Sequence, residues 1–268
     1  MDNSIKSIAI GSFDGIHLAH LNLISRVEAI IVIERNSGVL TAGYRRTKFT
    51  DKPIFFYHFD KISSLLAKEF IDMLICDFPN LEKIVVGYDF AFGYKKKGNA
   101  ELLKKLFHSE VEIINEIFYQ DISVHSKIIK EYINSGNIDM ANRLLGREYE
   151  CEGVVIKGQG LGSKELMPTI NIKTINYILP KHGVYATKTL INDVYIPSIS
   201  FLGHRVSTDG EFAIETHILN QKIINKSKKV TIKWIKFIRE NRKFDSLSEL
   251  KNQIKTDIKK AEVICCER

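Results

Sequence analysis

The chain has 268 residues, of which 44% are hydrophobic and 26% charged, and a formal net charge of +7. That length is comfortable for two domains, and the composition is ordinary for a folded soluble protein. No run approaches the ~18 apolar residues of a membrane span. The N-terminus carries too short an apolar stretch for a signal peptide, so a cytoplasmic protein with no membrane partner is expected.

Positive charge suits either a polyphosphate ligand or a solvated lysine surface. The lysines scatter, with local runs only at YKKKGN and NKSKKVTIKWIK. No nucleic-acid-binding motif occurs, so no nucleic-acid partner is expected. Cys76, Cys151, Cys265 and Cys266 show no CxxC or metal spacing. No cysteine metal site is expected, and the last two are read as a reduced tail.

The first half alternates strand and helix signals. SIAIGSF (7–13) reads as a strand, HLAHLNLISRV (17–27) as a short helix and EAIIVIER (28–35) as a second strand. Residues 63–78 carry helical apolar spacing through Leu65, Leu66, Phe70, Met73 and Leu74. EKIVVGYDF (82–90) is another apolar strand, NAELLKKLF (99–107) a helix and SEVEIINEI (109–117) strand-like. Alternation with near-continuous apolar strands argues for a parallel sheet covered on both faces, with ligand beyond the strands' carboxyl ends. Residues 125–149 read as two helices split at SGN (135–137) and ended by Gly146.

From residue 149 the strands become short and alternating, at 184–191, 194–203, 211–220 and 228–238, with turn signals ND and TDG between them. This pattern predicts a small antiparallel barrel. A closing helix follows, with Ser246 as N-cap and Glu249 completing a capping box. The expected division is 1–148 and 149–268.

Four segments carry chemistry-bearing residues. In GSFDGIHLAH (11–20) the glycines allow close backbone approach, and His17 and His20 share one face of an opening helix. They suit the charge of a transferring phosphate, although a pair of surface histidines would look the same. VVGYDFAFGYKKKGN (85–99) sets Asp89 among aromatics before Gly93 and three lysines. It reads as a nucleotide- or flavin-lining loop, or as a buried strand with a basic turn. In GVVIKGQGLGSKELMPTIN (153–171), Gly158, Gly160 and Gly162 precede Thr169 and Asn171. Such a loop can fold over a nucleotide while the Thr169 hydroxyl ligates Mg²⁺, or it can be a plain hairpin. EFAIETHIL (211–219) puts Glu215 and His217 on one face of a strand, where Glu215 is either a general base or an exposed carboxylate.

In this order, and over nearly the whole chain, these segments resemble the bifunctional prokaryotic riboflavin kinase/FAD synthetase family. Gly11, Phe13, Asp14, Gly15, His17 and His20 stand where its GxFDGxHxGH word has them, and VVGYDFAFG is similar to its VGxDFxFG. PTIN resembles its PTAN, and IETHIL resembles the strand bearing its catalytic glutamate. FIRENRKFDSLSELKNQIKTDIKKA resembles its closing loop and helix, with Arg239, Phe244 and Asp257 at matching positions.

The resemblance implies an α/β N-terminal Rossmann-like nucleotidyltransferase domain and a riboflavin-kinase-like barrel with a closing helix. It implies ATP and Mg²⁺, with riboflavin and FMN as substrates. Glu215, His17 and His20 would be catalytic. Gly11, Phe13, Asp14, Gly15, Ser126, Lys130, Gly158, Gly160, Gly162, Thr169 and Asn171 would meet nucleotide, with Thr169 also on the metal. Asp89, Phe90, Phe92 and Arg239 would meet flavin.

The chain departs from the pattern at Ala19, at Phe201 and in the SSTxIR element. There His125, Ser126 and Lys127 begin the element and Lys130 replaces the arginine, losing its bidentate geometry. Three other readings stand beside this one: an FMN adenylyltransferase with a weak or inactive kinase module, a nucleotidyltransferase for a non-flavin phosphate, and a non-catalytic flavin or nucleotide sensor.

Overall fold

The computed structural model describes residues 4–35, 39–157, 167–174, 176–205, 210–220 and 228–267. The chain divides into two compact units, 1–128 and 129–268. No helix among the described residues is long and apolar enough to cross a membrane.

In the first unit, β1 (Ser7–Gly11), β2 (Ala29–Glu34), β3 (Ile54–His58), β4 (Lys83–Gly87) and β7 (Glu110–Ile114) form a parallel sheet ordered β3-β2-β1-β4-β7. Helices α1 (Leu18–Ile24), α2 (Phe59–Ile62), α3 (Ala67–Asp77) and α4 (Ala100–Leu106) lie between strands in the sequence. The alternation of a strand sends Ile8 and Ile10 into one core, with Phe70, Leu74 and Leu103, and Ala9 into the other, with Leu23 and Ile24. Both faces are therefore buried, which is why these strands are apolar throughout. The chain runs outward from β1 to β3, then returns to β4 on the other side of β1. That reversal opens a crevice beyond the carboxyl ends of β1 and β4, the position where such sheets take ligands.

Two local expectations are corrected. The helix read over 63–78 is shorter at its start, since α3 begins only at Ala67, and a separate short α2 precedes it and ends at Ile62. Leu66 has no side-chain oxygen to cap α3, so Glu69 reaches back to accept the Leu66 N–H at 2.7 Å. The sequence reading also lacks β3 and two small hairpins. One pairs β5 (Ala91–Phe92) with β6 (Gly98–Asn99), and the other pairs β8 (Phe118–Tyr119) with β9 (Ile122–Ser123).

In the second unit, β10 (Tyr149–Ile156), β11 (Ile170–Thr174), β12 (Gly183–Ile191), β13 (Val194–His204), β14 (Phe212–Ile218) and β15 (Lys229–Arg239) close a barrel in the order β10-β11-β14-β13-β12-β15. The expected ND turn joins β12 to β13 with Asn192 and Asp193 at φ 48° and 64°. The TDG turn lies outside the described residues except for Gly210. Inside the barrel, Thr189, Ser198, Thr187, Ser200 and Thr216 are fully buried and linked in that order by hydroxyl contacts of 2.8 Å. Each hydroxyl is satisfied by its neighbours, which removes the cost of burying it.

Helix α7 (Leu247–Cys266) covers the outside of the barrel, packing Ala261 and Cys265 against Val184, Ala186, Ile199 and Ile235. Ser246 caps it by accepting Glu249 N–H at 3.1 Å, while Glu249 reaches Asp245 N rather than the cap residue's own N–H. Cys265 is therefore a packed core residue in the last turn of α7, not part of a tail.

The compact units divide at 128/129. Helix α6 (Ile138–Leu145) is stitched to the barrel. The buried Asn142 side chain donates to Trp234 O at 2.9 Å and accepts Tyr149 N–H at 2.7 Å. The helix before it, α5 (Ser126–Ser135), crosses the division.

Candidate active sites

The first site lies at the carboxyl ends of β1 and β4. His17 is 3% exposed and caps α1: its Nδ1 accepts His20 N–H at 3.4 Å. A nitrogen that accepts holds no proton, so the ring's proton sits on Nε2 and makes that atom a donor. His20 stacks on His17 with ring centroids 3.6 Å apart and packs at 5.1 Å against Phe13. The two histidines are thus brought together as their spacing predicts.

The loop before them is wound tightly. Gly15 has φ 96°, a conformation glycine adopts without strain, while Phe13 and Ile16 hold φ of 45° and 37°. Such strain persists only where the surroundings fix it, and here they do. Phe13 is wholly buried, and Asp14 accepts Leu40 N–H at 2.7 Å and Thr41 N–H at 3.2 Å. Arg46 donates to Phe13 O at 3.2 Å and to Glu34 at 3.2 Å. Burial presses its guanidinium below the ordinary value, against the pull of Asp14 and Glu34. Phe13 and Asp14 are therefore tied into the structure of the loop itself. Arg46 is absent from the sequence-based set, because YRRTKF carries no pattern that marks one arginine as buried.

Asp89 follows β4 and is exposed, and His125 Nε2 lies 3.4 Å from its Oδ2. The hydrogen bond from His125 holds the Asp89 carboxyl below its usual value, and His17 is close enough to add to that effect. Phe90 stacks on Phe92 at 5.4 Å, but Phe92 is 4% exposed and belongs to the sheet core. Of that aromatic pair only Phe90 is partly open. Ser126 Oγ donates to Asp14 O at 2.8 Å, joining the start of α5 to the histidine loop. Lys130 lies further along α5, in the second compact unit.

The second site is built on β11 and β14. Register pairs Asn171 directly with Glu215, and Glu215 with Phe201 on β13. Direct antiparallel partners point to the same face, so the amide and the carboxylate are side by side outside the barrel. Arg205 Nη1 donates to Glu215 Oε1 at 3.0 Å. Arg205 is a second residue that sequence reasoning missed. His217, two residues on, places Nδ1 2.8 Å from Pro168 O. A carbonyl only accepts, so this nitrogen carries the proton and holds the segment that leads into Thr169. Thr169 itself is exposed.

Gly158, Gly160 and Gly162 lie outside the described residues. Arg239 donates to the buried Asp257 at 2.8 Å and to Glu240 O at 2.9 Å, and its guanidinium sits 5.6 Å from the Phe244 ring centre. It ties β15 to α7.

Thr169 and Asn171 offer the oxygen donors a hard cation prefers. A magnesium ion held mainly by substrate phosphates needs little more from the protein. Among the described residues no cluster of His, Cys, Asp and Glu forms an all-protein cage.

A Buchnera aphidicola (subsp. Acyrthosiphon pisum) protein described as a bifunctional riboflavin kinase/FMN adenylyltransferase is 34% identical, over 96% of this chain and 92% of its own. The chain belongs to that family. Members from Bacillus subtilis and Mycoplasma pneumoniae are 27% and 26% identical, over 97% and 96% of this chain and 93% and 96% of theirs. The riboflavin kinase family model matches residues 145–265, and the FAD synthetase model matches residues 46–128. A solved structure described as a macrolide-efflux protein from Streptococcus pneumoniae superposes with a TM-score of 0.87 at 27% identity. It covers 98% of this chain and 95% of its own. The kinase match spans the barrel, and the synthetase match spans β3, β4 and β7 of the parallel sheet.

Proposed function

We propose that the chain makes FMN from riboflavin in the barrel unit and FAD from FMN in the N-terminal unit, with ATP as co-substrate of both. The family membership, with a kinase and a synthetase model each matched in its own unit, carries this reading. It is a transferase of flavin cofactor synthesis, and we place it in the cytoplasm.

In the kinase step the riboflavin 5′-hydroxyl attacks the γ-phosphorus of ATP, ADP leaves as the β,γ bond breaks, and the hydroxyl must lose its proton. Glu215 takes that proton; Arg205 holds one carboxylate oxygen and so orients the other. Asn171, beside Glu215, and Thr169, held through the His217 bond to Pro168, face the nucleotide. Magnesium, when bound at Thr169, supplies charge neutralisation at the transferring phosphate.

The adenylyl step has a different demand. The FMN phosphate is already an anionic nucleophile, so no base is required when it attacks the α-phosphorus and releases pyrophosphate. What is required is stabilisation of the charge that builds on the phosphates. His17 is suited to that, since its cap bond to His20 N leaves Nε2–H as a fixed donor. Gly11 and Gly15 allow the backbone close to the phosphates, and Ser126 braces the loop from behind.

The reading is tested by incubating the protein with riboflavin, ATP and Mg²⁺ and resolving flavins over time. FMN should appear first and FAD should follow. Accumulation of neither product would refute the proposal. FMN without FAD, or FAD only from supplied FMN, would confine it to one unit.

A further inference from the structure

Two consecutive residues tie the start of α5 to both loops of the N-terminal cleft. Ser126 Oγ donates to Asp14 O, in the histidine loop, at 2.8 Å. His125 Nε2 meets Asp89 Oδ2, in the loop after β4, at 3.4 Å, while His125 Nδ1 accepts Lys127 N–H at 3.1 Å. The logic is that of His17: accepting a backbone N–H at Nδ1 fixes the tautomer and leaves Nε2–H as the donor. Here the donor is aimed at a carboxylate.

We propose that His125 is a positioning residue for FMN, holding the Asp89 carboxylate at the mouth of the cleft as an acceptor for the flavin's hydrogen-bond donors. The inference rests on the adenylyl-transfer reading above. FMN carries donors only on its ribityl chain and at ring N3, whereas its phosphate and the ATP phosphates are anionic acceptors. A carboxylate repels those phosphates and attracts the donors, so Asp89 belongs to the flavin end of the site.

The His125 and Asp89 side chains are 47% and 53% exposed. So open a pair adds little to folding stability, but it stays within reach of a ligand. A lone exposed Asp89 would sample several rotamers, and the bond to His125 removes that freedom before FMN arrives. The neighbouring charges are Glu116 and Lys127 around His125, with His17 acting on Asp89.

The test uses the full chain and the variants His125→Asn and His125→Ser. Both keep a side-chain oxygen to cap α5 at Lys127 N, and both are too short to hold Asp89. Each should raise KM for FMN about tenfold, the worth of one charge-assisted hydrogen bond, with kcat for FAD formation kept. Riboflavin phosphorylation, measured on the same preparation, should keep the parent rate. Adding Asp89→Asn to His125→Asn should cause no further rise in KM. An unchanged KM in both variants overturns the proposal. A fall in kcat alone also overturns it, as does a joint loss of both reactions, the mark of a residue that only supports the fold. A parent protein that makes no FAD from FMN and ATP refutes the underlying adenylyl-transfer reading instead.

Discussion

Replacing Glu215 with glutamine separates the chemistry of the barrel from its architecture. In the parent, Arg205 Nη1 donates to Glu215 Oε1 at 3.0 Å, with the two side chains 18% and 23% exposed. Glutamine keeps the length of the side chain and an oxygen for Arg205, so the contact becomes a neutral-acceptor hydrogen bond. The difference between a charge-assisted and an ordinary hydrogen bond is about 1 kcal/mol, which sets the expected loss of folding stability. Removing a general base costs ~10²–10⁴-fold in rate, about 2.7–5.5 kcal/mol of barrier. Catalytic loss therefore exceeds structural loss by a margin that a thermal melt and a rate assay together resolve. The assay follows FMN from riboflavin by chromatography, with FAD from supplied FMN as the internal control. FMN formation should collapse while FAD formation holds at the parent rate. A variant that phosphorylates riboflavin as fast as the parent would refute Glu215 as the base. An equal fall in both reactions would refute the independence of the two sites.

His17→Asn keeps an acceptor for the His20 N–H but removes the ring donor. FAD formation should fall on the order of 10²-fold with FMN formation intact, as read from initial rates. Asn142→Ala removes both bonds of a buried amide and leaves Trp234 O and Tyr149 N without that partner. It should destabilise the barrel unit by about 2 kcal/mol or more in denaturant titrations, because each orphaned buried group costs ~1–3 kcal/mol. For the same reason a fragment starting at Ile129 should melt higher than one starting at Tyr149, which lacks α6. The hydrogen bond to Asp89 raises the His125 pKa above its ordinary value and lowers that of Asp89. The charged pair is then complete between the two pKa values, lost as pH rises through that of His125 and as it falls through that of Asp89. NMR titration should place His125 above 6.5 and return it toward that value in Asp89→Asn. The Lys127 amide should titrate in step, because protonation of Nδ1 ends its acceptance of that N–H.

The sheet was legible because burial on both faces leaves a simple trace: β1, β2 and β4 are apolar at nearly every position. Strand β3 is half-buried at the sheet edge, and its run IFFYH carries an apolar, aromatic strand signal that the sequence reading did not take up. The hairpin at Phe118–Ser123 turns through Gln120 and Asp121, both at positive φ, with no glycine or asparagine to announce it. In the barrel, alternation located the strands but not their faces. Thr187 and Thr189 of β12 point inward, where Ser198 and Ser200 complete their hydrogen bonds and Thr216 extends the chain. Only the three-strand arrangement makes that burial affordable, and no single strand encodes it.

The sites show the same division between what one segment carries and what several must supply. His17 with His20, and Glu215 with His217, are each set by spacing within one element, so pattern alone could pair them. Arg46, Arg205 and His125 come from other segments, and each acts on a residue that the pattern did find. Arg46 fixes the backbone at Phe13, Arg205 turns Glu215, and His125 holds Asp89. The arginines carry no local signature, because a guanidinium reads alike whether it is solvated or buried. His125 occupies a position where the family pattern has serine. Both residues can cap α5 through a side-chain acceptor, but only the imidazole has a second polar atom, far enough out to reach Asp89. The substitution thus keeps the cap and adds a contact across the cleft. Its effect should therefore appear in flavin affinity rather than in folding.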